Sequence, residues 1–162
     1  MKTIGALTIS APGDRELVMT RNFDAPRRLV FDAMTKPELL KRWLFGPPGW
    51  AMTVCQVDLQ VGGKFRHVWR NDDGREMAMS GVHREIVPGE RIVRTESFDF
   101  GCPTQAGEQV GTLVLTEQGG MTKMTLTVLY PSREARDGTL ATGADQGLAA
   151  GYDRLADILA GL

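Results

Sequence analysis

Residues 21–63 read RNFDAPRRLVFDAMTKPELLKRWLFGPPGWAMTVCQVDLQVGG. A strand-like run stops at Asp24-Ala25-Pro26. Pro26 suits the first turn of a helix, where its missing N–H would lack a partner anyway. Val30, Ala33 and Met34 then fall at helical spacing and give that helix one apolar face. Pro37 repeats the device, and Leu39, Leu40, Trp43 and Leu44 form the stripe of a second short helix. Gly46-Pro47-Pro48-Gly49 cannot continue it, and a new strand closes on Gly62-Gly63. The stretch carries no catalytic signature. It reads as a scaffold that holds a ligand.

Strands flank it on both sides. Ile4 to Ile9 and Leu17 to Phe23 read as two strands joined by the turn residues Pro12-Gly13-Asp14. From Ala51 to Tyr130 strand follows strand. In KFRHVWRNDDGREMAMSGVH a three-residue loop, Asp72-Asp73-Gly74 with Gly74 left-handed, sets Trp69 against Met77, His67 against Met79 and Phe65 against Gly81. That register gathers Phe65, His67, Trp69, Met77, Met79, Gly81 and His83 on one face. A loop one residue longer or shorter would mix the faces. In TLVLTEQGGMTKMTLTVLY a Gly119-Gly120 turn sets Leu115 against Met124 and Leu113 against Leu126, with Val128 and Tyr130 on the same face. Each hairpin has one apolar and one polar face, as in an antiparallel sheet covered on one side. The cover is C-terminal. Leu140, Ala144, Leu148, Tyr152, Leu155, Leu159 and Leu162 recur at helical steps and predict one helix of about 20 residues. Gly147 and Gly151 lie on or beside that stripe, and serve either close packing on the sheet or room for a ligand beneath the helix.

Composition bounds the function classes. A chain of 162 residues is read as a single domain, 1–162. At about 150 residues a domain buries roughly 68–70% of its unfolded surface, so it needs neither disulfide nor metal. With 19 basic and 20 acidic residues the net charge is −1, which gives no electrostatic case for nucleic acid. Cys55 and Cys102 are outside any C-x-x-C spacing and read as free thiols. There is no signal-peptide pattern, and no apolar run approaches the ~20 residues that span a bilayer. A soluble, cytoplasmic protein without membrane insertion is expected.

Taken together, several short patterns resemble one family. They are Ala25-Pro26 with Val30 and Ala33, Pro37-Glu38 with Trp43, Asp58-Leu59 with Gly62-Gly63-Lys64-Phe65-Arg66, and Asp73-Gly74 followed by Gly81. Glu85-Ile86 with Pro88-Gly89-Glu90-Arg91, and Gly147-Leu148-Ala149-Ala150-Gly151-Tyr152, extend the match over nearly the whole chain. The chain resembles the family named after the activator of the heat-shock protein 90 ATPase, in the START/Bet v 1-like superfamily. The resemblance implies an α+β helix-grip fold: an antiparallel sheet curled around a long C-terminal helix, with two short helices after the first strands and a cavity between sheet and helix. The chain departs at Leu44, where many members have a second aromatic, and at Tyr152, where Trp is common; both changes bear on cavity shape.

No nucleotide-binding, zinc-protease or serine-hydrolase motif is present. His67 and His83 share a face but lie about 13 Å apart along it at ~3.3 Å per residue, so one metal cannot take both. No metal site and no cofactor are expected. Each histidine is either a satisfied sheet residue or the one polar group in an apolar pocket, able to orient a ligand or move a proton. Glu85, expected on the same face, is either a rim salt bridge or a general base. Tyr130 and Tyr152 fit a core or offer hydroxyls to a ligand. Trp43, Phe45, Trp50, Phe65, Trp69, Phe98, Phe100, Met77 and Met79 supply aromatic and deformable surfaces. Three functions follow. The preferred one is binding of a small hydrophobic or aromatic molecule at Trp43, Phe45, Trp50, Phe65, His67, Trp69, Met77, Met79, His83, Tyr130, Gly147, Gly151 and Tyr152. The second is an enzyme of cyclase, hydrolase or lyase type acting on an aromatic compound in the same cavity, with His67, His83 and Glu85 as its acid–base candidates. The third is a co-chaperone that stimulates a chaperone ATPase. Oligomeric state, a homodimer included, is left open.

Overall fold

The computed structural model describes residues 1–99 and 107–162; Phe100 and Cys102 lie outside the described residues. The chain is α+β. Its strands are β1 (Lys2–Ile4), β2 (Leu7–Ser10), β3 (Glu16–Phe23), β4 (Trp50–Val57), β5 (Lys64–Asn71), β6 (Glu76–Val87), β7 (Arg91–Asp99), β8 (Gln109–Gln118) and β9 (Met121–Leu129). Its helices are α1 (Arg27–Thr35), α2 (Pro37–Leu40), α3 (Arg133–Ala141) and α4 (Ala144–Ala160). The strands form one antiparallel sheet in the order β1-β2-β3-β9-β8-β7-β6-β5-β4. The helices α1 and α2 carry the chain from β3 to the far edge at β4.

Both hairpin registers match the alternation of the sequence. Phe65 faces Gly81, His67 faces Met79 and Trp69 faces Met77, with Gly74 at φ +82° in the turn. Leu115 faces Met124 and Leu113 faces Leu126 across Gly119 and Gly120, both at positive φ. Three readings are corrected. Ile4–Ile9 is not one strand: Gly5 adopts φ +58° and folds it into a hairpin with Ile4 opposite Leu7. Pro26 caps α1 in an extended conformation rather than entering its first turn, whereas Pro37 does sit at the start of α2. The C-terminal helix is broken at Gly143, whose φ of +77° ends the helical path, so Leu140 belongs to α3.

The core is in two parts. The larger places Phe23, Leu115, Met124 and Val128 of the sheet against Val30, Tyr152 and Leu155 of the helices and against Trp43, which with Leu44 lies beyond the end of α2 at Leu40 rather than on its stripe as expected. The smaller consists of Phe65, Trp69 and Met79, with Leu44, Trp50, Met52, Val57, Met77 and Phe98 packed around it. Leu44 and Val57 touch both. Arg21, buried on β3, is held by Asp153 of α4 at 2.6 Å, which fixes the helix over this half of the sheet.

Candidate functional site

Around the smaller core cluster the inward face of the sheet turns polar. Successive side chains of a strand alternate faces, so β5 sends Phe65, His67 and Trp69 inward and β6 sends Met79 and His83. The register Met79↔Phe98 and His83↔Arg94 puts Arg94, Glu96 and Phe98 of β7 on that same face. Glu96 is buried, and the Arg94 guanidinium stacks 4.0 Å from the centre of the Phe65 ring.

His67 is 1% exposed. Its ring lies 5.2 Å from Phe65 and 5.8 Å from Trp69, and no described residue hydrogen-bonds either nitrogen. Burial, reinforced by the Arg94 charge, pushes its pKa down to about 3, so the imidazole is neutral at physiological pH. His83 is 2% exposed, and its Nδ1 lies 3.2 Å from the Gly63 carbonyl. That partner makes Nδ1 the donor in the neutral ring and leaves Nε2 as an acceptor. Burial and then Arg94 lower its pKa as well. The Phe65 ring stands between the two imidazoles, 5.2 Å from one and 5.8 Å from the other.

Arg94 and Glu96 were not legible as site residues in the motif reading. Arg94 Nε donates to Glu96 at 3.0 Å, and Gln109 Nε2 donates to the other carboxylate oxygen at 2.9 Å. Gly111 of β8 faces Arg94 across the ladder, and a Cβ there would come within 3.0 Å of the Glu96 carboxylate. Counting from the Pro88-Gly89 turn, RIVRTESFD alternates so that Ile92, Arg94, Glu96 and Phe98 share a face, but only the register against β6 turns that face inward. Two charges at inward positions between apolar ends are the anomaly to look for.

Tyr130 and Tyr152 are both buried. Burial pushes the Tyr130 hydroxyl up to about 12, with a Thr139 hydrogen bond opposing and the Glu96 charge adding. Burial, then Glu96, raises Tyr152 beyond the ordinary tyrosine range while Arg94 opposes. Arg94 therefore acts electrostatically on both histidines and on Tyr152, and Glu96 on both tyrosines, so these six groups share one electrostatic neighbourhood, the seam.

The remaining sequence-predicted residues divide. Trp43 is buried against Tyr152, 5.8 Å between ring centres, and its indole N–H donates to the Ala33 carbonyl. The Trp69 indole donates to Leu44 at 2.7 Å, tying the smaller core to the segment after α2. Met79 belongs to that core, and Met77 and Trp50 border it. Phe45 lies under the Arg154 guanidinium, 4.1 Å away, toward the exit of the loop. A Cβ on Gly151 would make ordinary contact with Trp43 at 3.8 Å, so Gly151 faces the interior. Gly147 is on the exposed side of α4 with open space around it, away from the seam. Glu85 also leaves the interior: the ladder shifts between His83 and Glu85, and the carboxylate pairs with Arg91 at 3.0 Å in solvent. Among the described residues no cluster of three histidine, cysteine or acidic side chains could hold a metal ion, and no helix is long and apolar enough to cross a membrane. On the outer face of the same strands an open groove of about 440 Å³ runs past Gln56, Arg66, Ser80, Thr95 and Ser97.

Comparison with known proteins agrees with this geometry. The family described as Activator of Hsp90 ATPase homolog 1-like protein matches residues 24–160. A crystal structure of a protein from Rhodobacter sphaeroides is 31% identical, with a TM-score of 0.89 over 96% of this chain and 99% of that one. The protein Ms6760 from Mycobacterium smegmatis is 23% identical, with a TM-score of 0.82 over 94% and 96%. A solution structure of a protein from Arthrobacter aurescens is 21% identical, with a TM-score of 0.84 over 97% and 93%. These last two show the fold alone. No curated protein matches the chain.

Proposed function

Because this chain belongs to the Activator of Hsp90 ATPase homolog 1-like family, we propose that it binds a small hydrophobic or aromatic molecule between the sheet and the C-terminal helices. Membership supports ligand-binding or co-chaperone-type roles in general. The observation that favours ligand binding is the setting of His67: a fully buried imidazole among Phe65, Trp69 and Met79 whose two ring nitrogens have no hydrogen-bond partner among the described residues. Nearly all buried polar groups in folded proteins are hydrogen-bonded, so an unmet pair of ring nitrogens in an apolar surround favours a bound partner. Trp69, Met79 and Phe65 supply apolar contact, while His67, His83 and Tyr152 supply the few polar groups that orient a ligand in such sites.

Native mass spectrometry of freshly purified protein tests the reading. A co-purifying mass below about 500 Da that is lost on unfolding is the expected result. Ligand-free protein whose melting temperature no apolar aromatic molecule raises would count against it, since a ligand held at 100 times its Kd adds about 2.7 kcal/mol.

An enzymatic role in the same place draws on one further observation. Glu96, held by Arg94 and Gln109, is a buried carboxylate on the same face as His83. It would replace the solvent-facing Glu85 as the acid–base candidate. Turnover of an aromatic substrate that Glu96→Gln abolishes while leaving binding intact would support this role.

A further inference from the structure

On the ligand-binding reading above, on which this step rests, we infer that the occupant is an uncharged aromatic molecule bearing a hydroxyl group, and that His67 reads the hydroxyl.

His67 is the informative group. It is 1% exposed and faces inward, and both ring nitrogens lack a partner among the described residues. A neutral imidazole presents one N–H donor and one lone-pair acceptor. Leaving both unmet in a buried site is costly, and nearly all buried polar groups in folded proteins avoid it. Among the described residues only Arg21 Nε is likewise buried without a partner, and Arg21 still holds Asp153 through Nη1. His83, four residues along the same face from the partner of His67, has the Gly63 carbonyl. Both tryptophan indoles nearby are satisfied by backbone carbonyls. His67 alone of these holds its hydrogen-bonding capacity unspent, and a ligand must complement both a donor and an acceptor.

The surroundings narrow the class. The imidazole is bordered by the Phe65 and Trp69 rings and by Met79 directly across the ladder, which favours a flat apolar body. The local charges are already balanced, because Arg94 pairs with Glu96. A carboxylate brought into the seam would meet Glu96, and an ammonium would meet Arg94. Either would bury a third charge without a counter-ion, which is strongly disfavoured. A hydroxyl is the smallest uncharged group that both donates and accepts. A pure hydrocarbon leaves His67 as unsatisfied as before.

Calorimetric titration of the full chain at pH 7 with 2-naphthol, naphthalene and 2-naphthoate tests this. The naphthol should bind at least about tenfold tighter than either analogue, the discrimination expected of one buried hydrogen bond. In His67→Phe, naphthol binding should fall to the naphthalene level while naphthalene binding is kept. His67→Gln, which retains a donor and an acceptor, should recover part of the preference, and it stands in should the phenylalanine variant fail to fold. Equal binding of naphthol and naphthalene, tightest binding of naphthoate, or an undiminished naphthol preference in His67→Phe each overturns the inference while leaving ligand binding intact. Failure of all three probes to bind overturns both.

Discussion

The imidazole of His67 makes the protein sensitive to acid. Its pKa in the folded chain is about 3, against the ordinary 6.5 of an exposed histidine. Between those values the unfolded chain binds the proton and the folded one does not, so stability is complete above pH 6.5 and is lost as pH falls toward 3. Each such group contributes up to about 1.4 kcal/mol per pH unit in its window. His83 is shifted in the same direction and adds to the slope. Urea midpoints measured from pH 7 to pH 4.5 should decline steadily, and His67→Phe should flatten the decline. The same variant should raise the melting temperature at pH 7, because it removes a buried polar group that no described residue satisfies. A second residue-scale expectation concerns Gly111. A methyl group there would sit 3.0–3.3 Å from Glu96, whose carboxylate is tethered on both sides. Gly111→Ala should therefore destabilise the fold by about 1–3 kcal/mol in chemical denaturation. At this scale the histidines were legible, because the hairpin register alone turns them inward. Arg94 and Glu96 were not, because charged residue types suggest a solvated strand until the register of β7 against β6 is known.

At the scale of the element, turns and helix anchors carry the testable consequences. Gly120 adopts φ +79° in the β8–β9 turn and nothing lies near its missing Cβ. Gly120→Ala thus isolates backbone strain, about 1–2 kcal/mol, without steric side effects. Asp153→Ala removes the partner of Arg21, which is 8% exposed on its own side of the pair, while Asp153 itself is 63% exposed. Loss of that charge-assisted contact should cost about 1.5–3 kcal/mol and speed hydrogen exchange in α4 relative to the sheet. Element boundaries were the part least legible in sequence. The apolar steps from Leu140 to Leu159 run on through the break, and only the left-handed conformation of Gly143 interrupts the helix. Likewise Thr3, Ile4, Leu7 and Ile9 fit a continuous strand as well as a hairpin, since Gly5 is compatible with both. Period and composition specify which face is buried more firmly than where an element ends.

For the whole molecule, the two clusters, bridged at Leu44 and Val57, bear on how distant substitutions combine. Leu155 belongs to the larger cluster and Met79 to the smaller. Each alanine substitution should cost about 2–5 kcal/mol, and in the ligand-free chain the double variant should equal their sum within about 0.5 kcal/mol. A bound molecule in the seam would couple them, and the departure from additivity would measure it. The strand order has a different consequence. In the middle of the sheet β3 pairs with β9, so that Glu16 faces Leu129 and Phe23 faces Thr122. Residues through Leu129 must emerge from the ribosome before β3 finds that neighbour. Until then the first three strands lack the β9 ladder and the core face that Met124 and Val128 complete. The ladder closes a very long loop late, and topologies of this kind fold in milliseconds to seconds rather than microseconds. The same arrangement that places the last helices over the first strands therefore makes completion of the fold wait for β9.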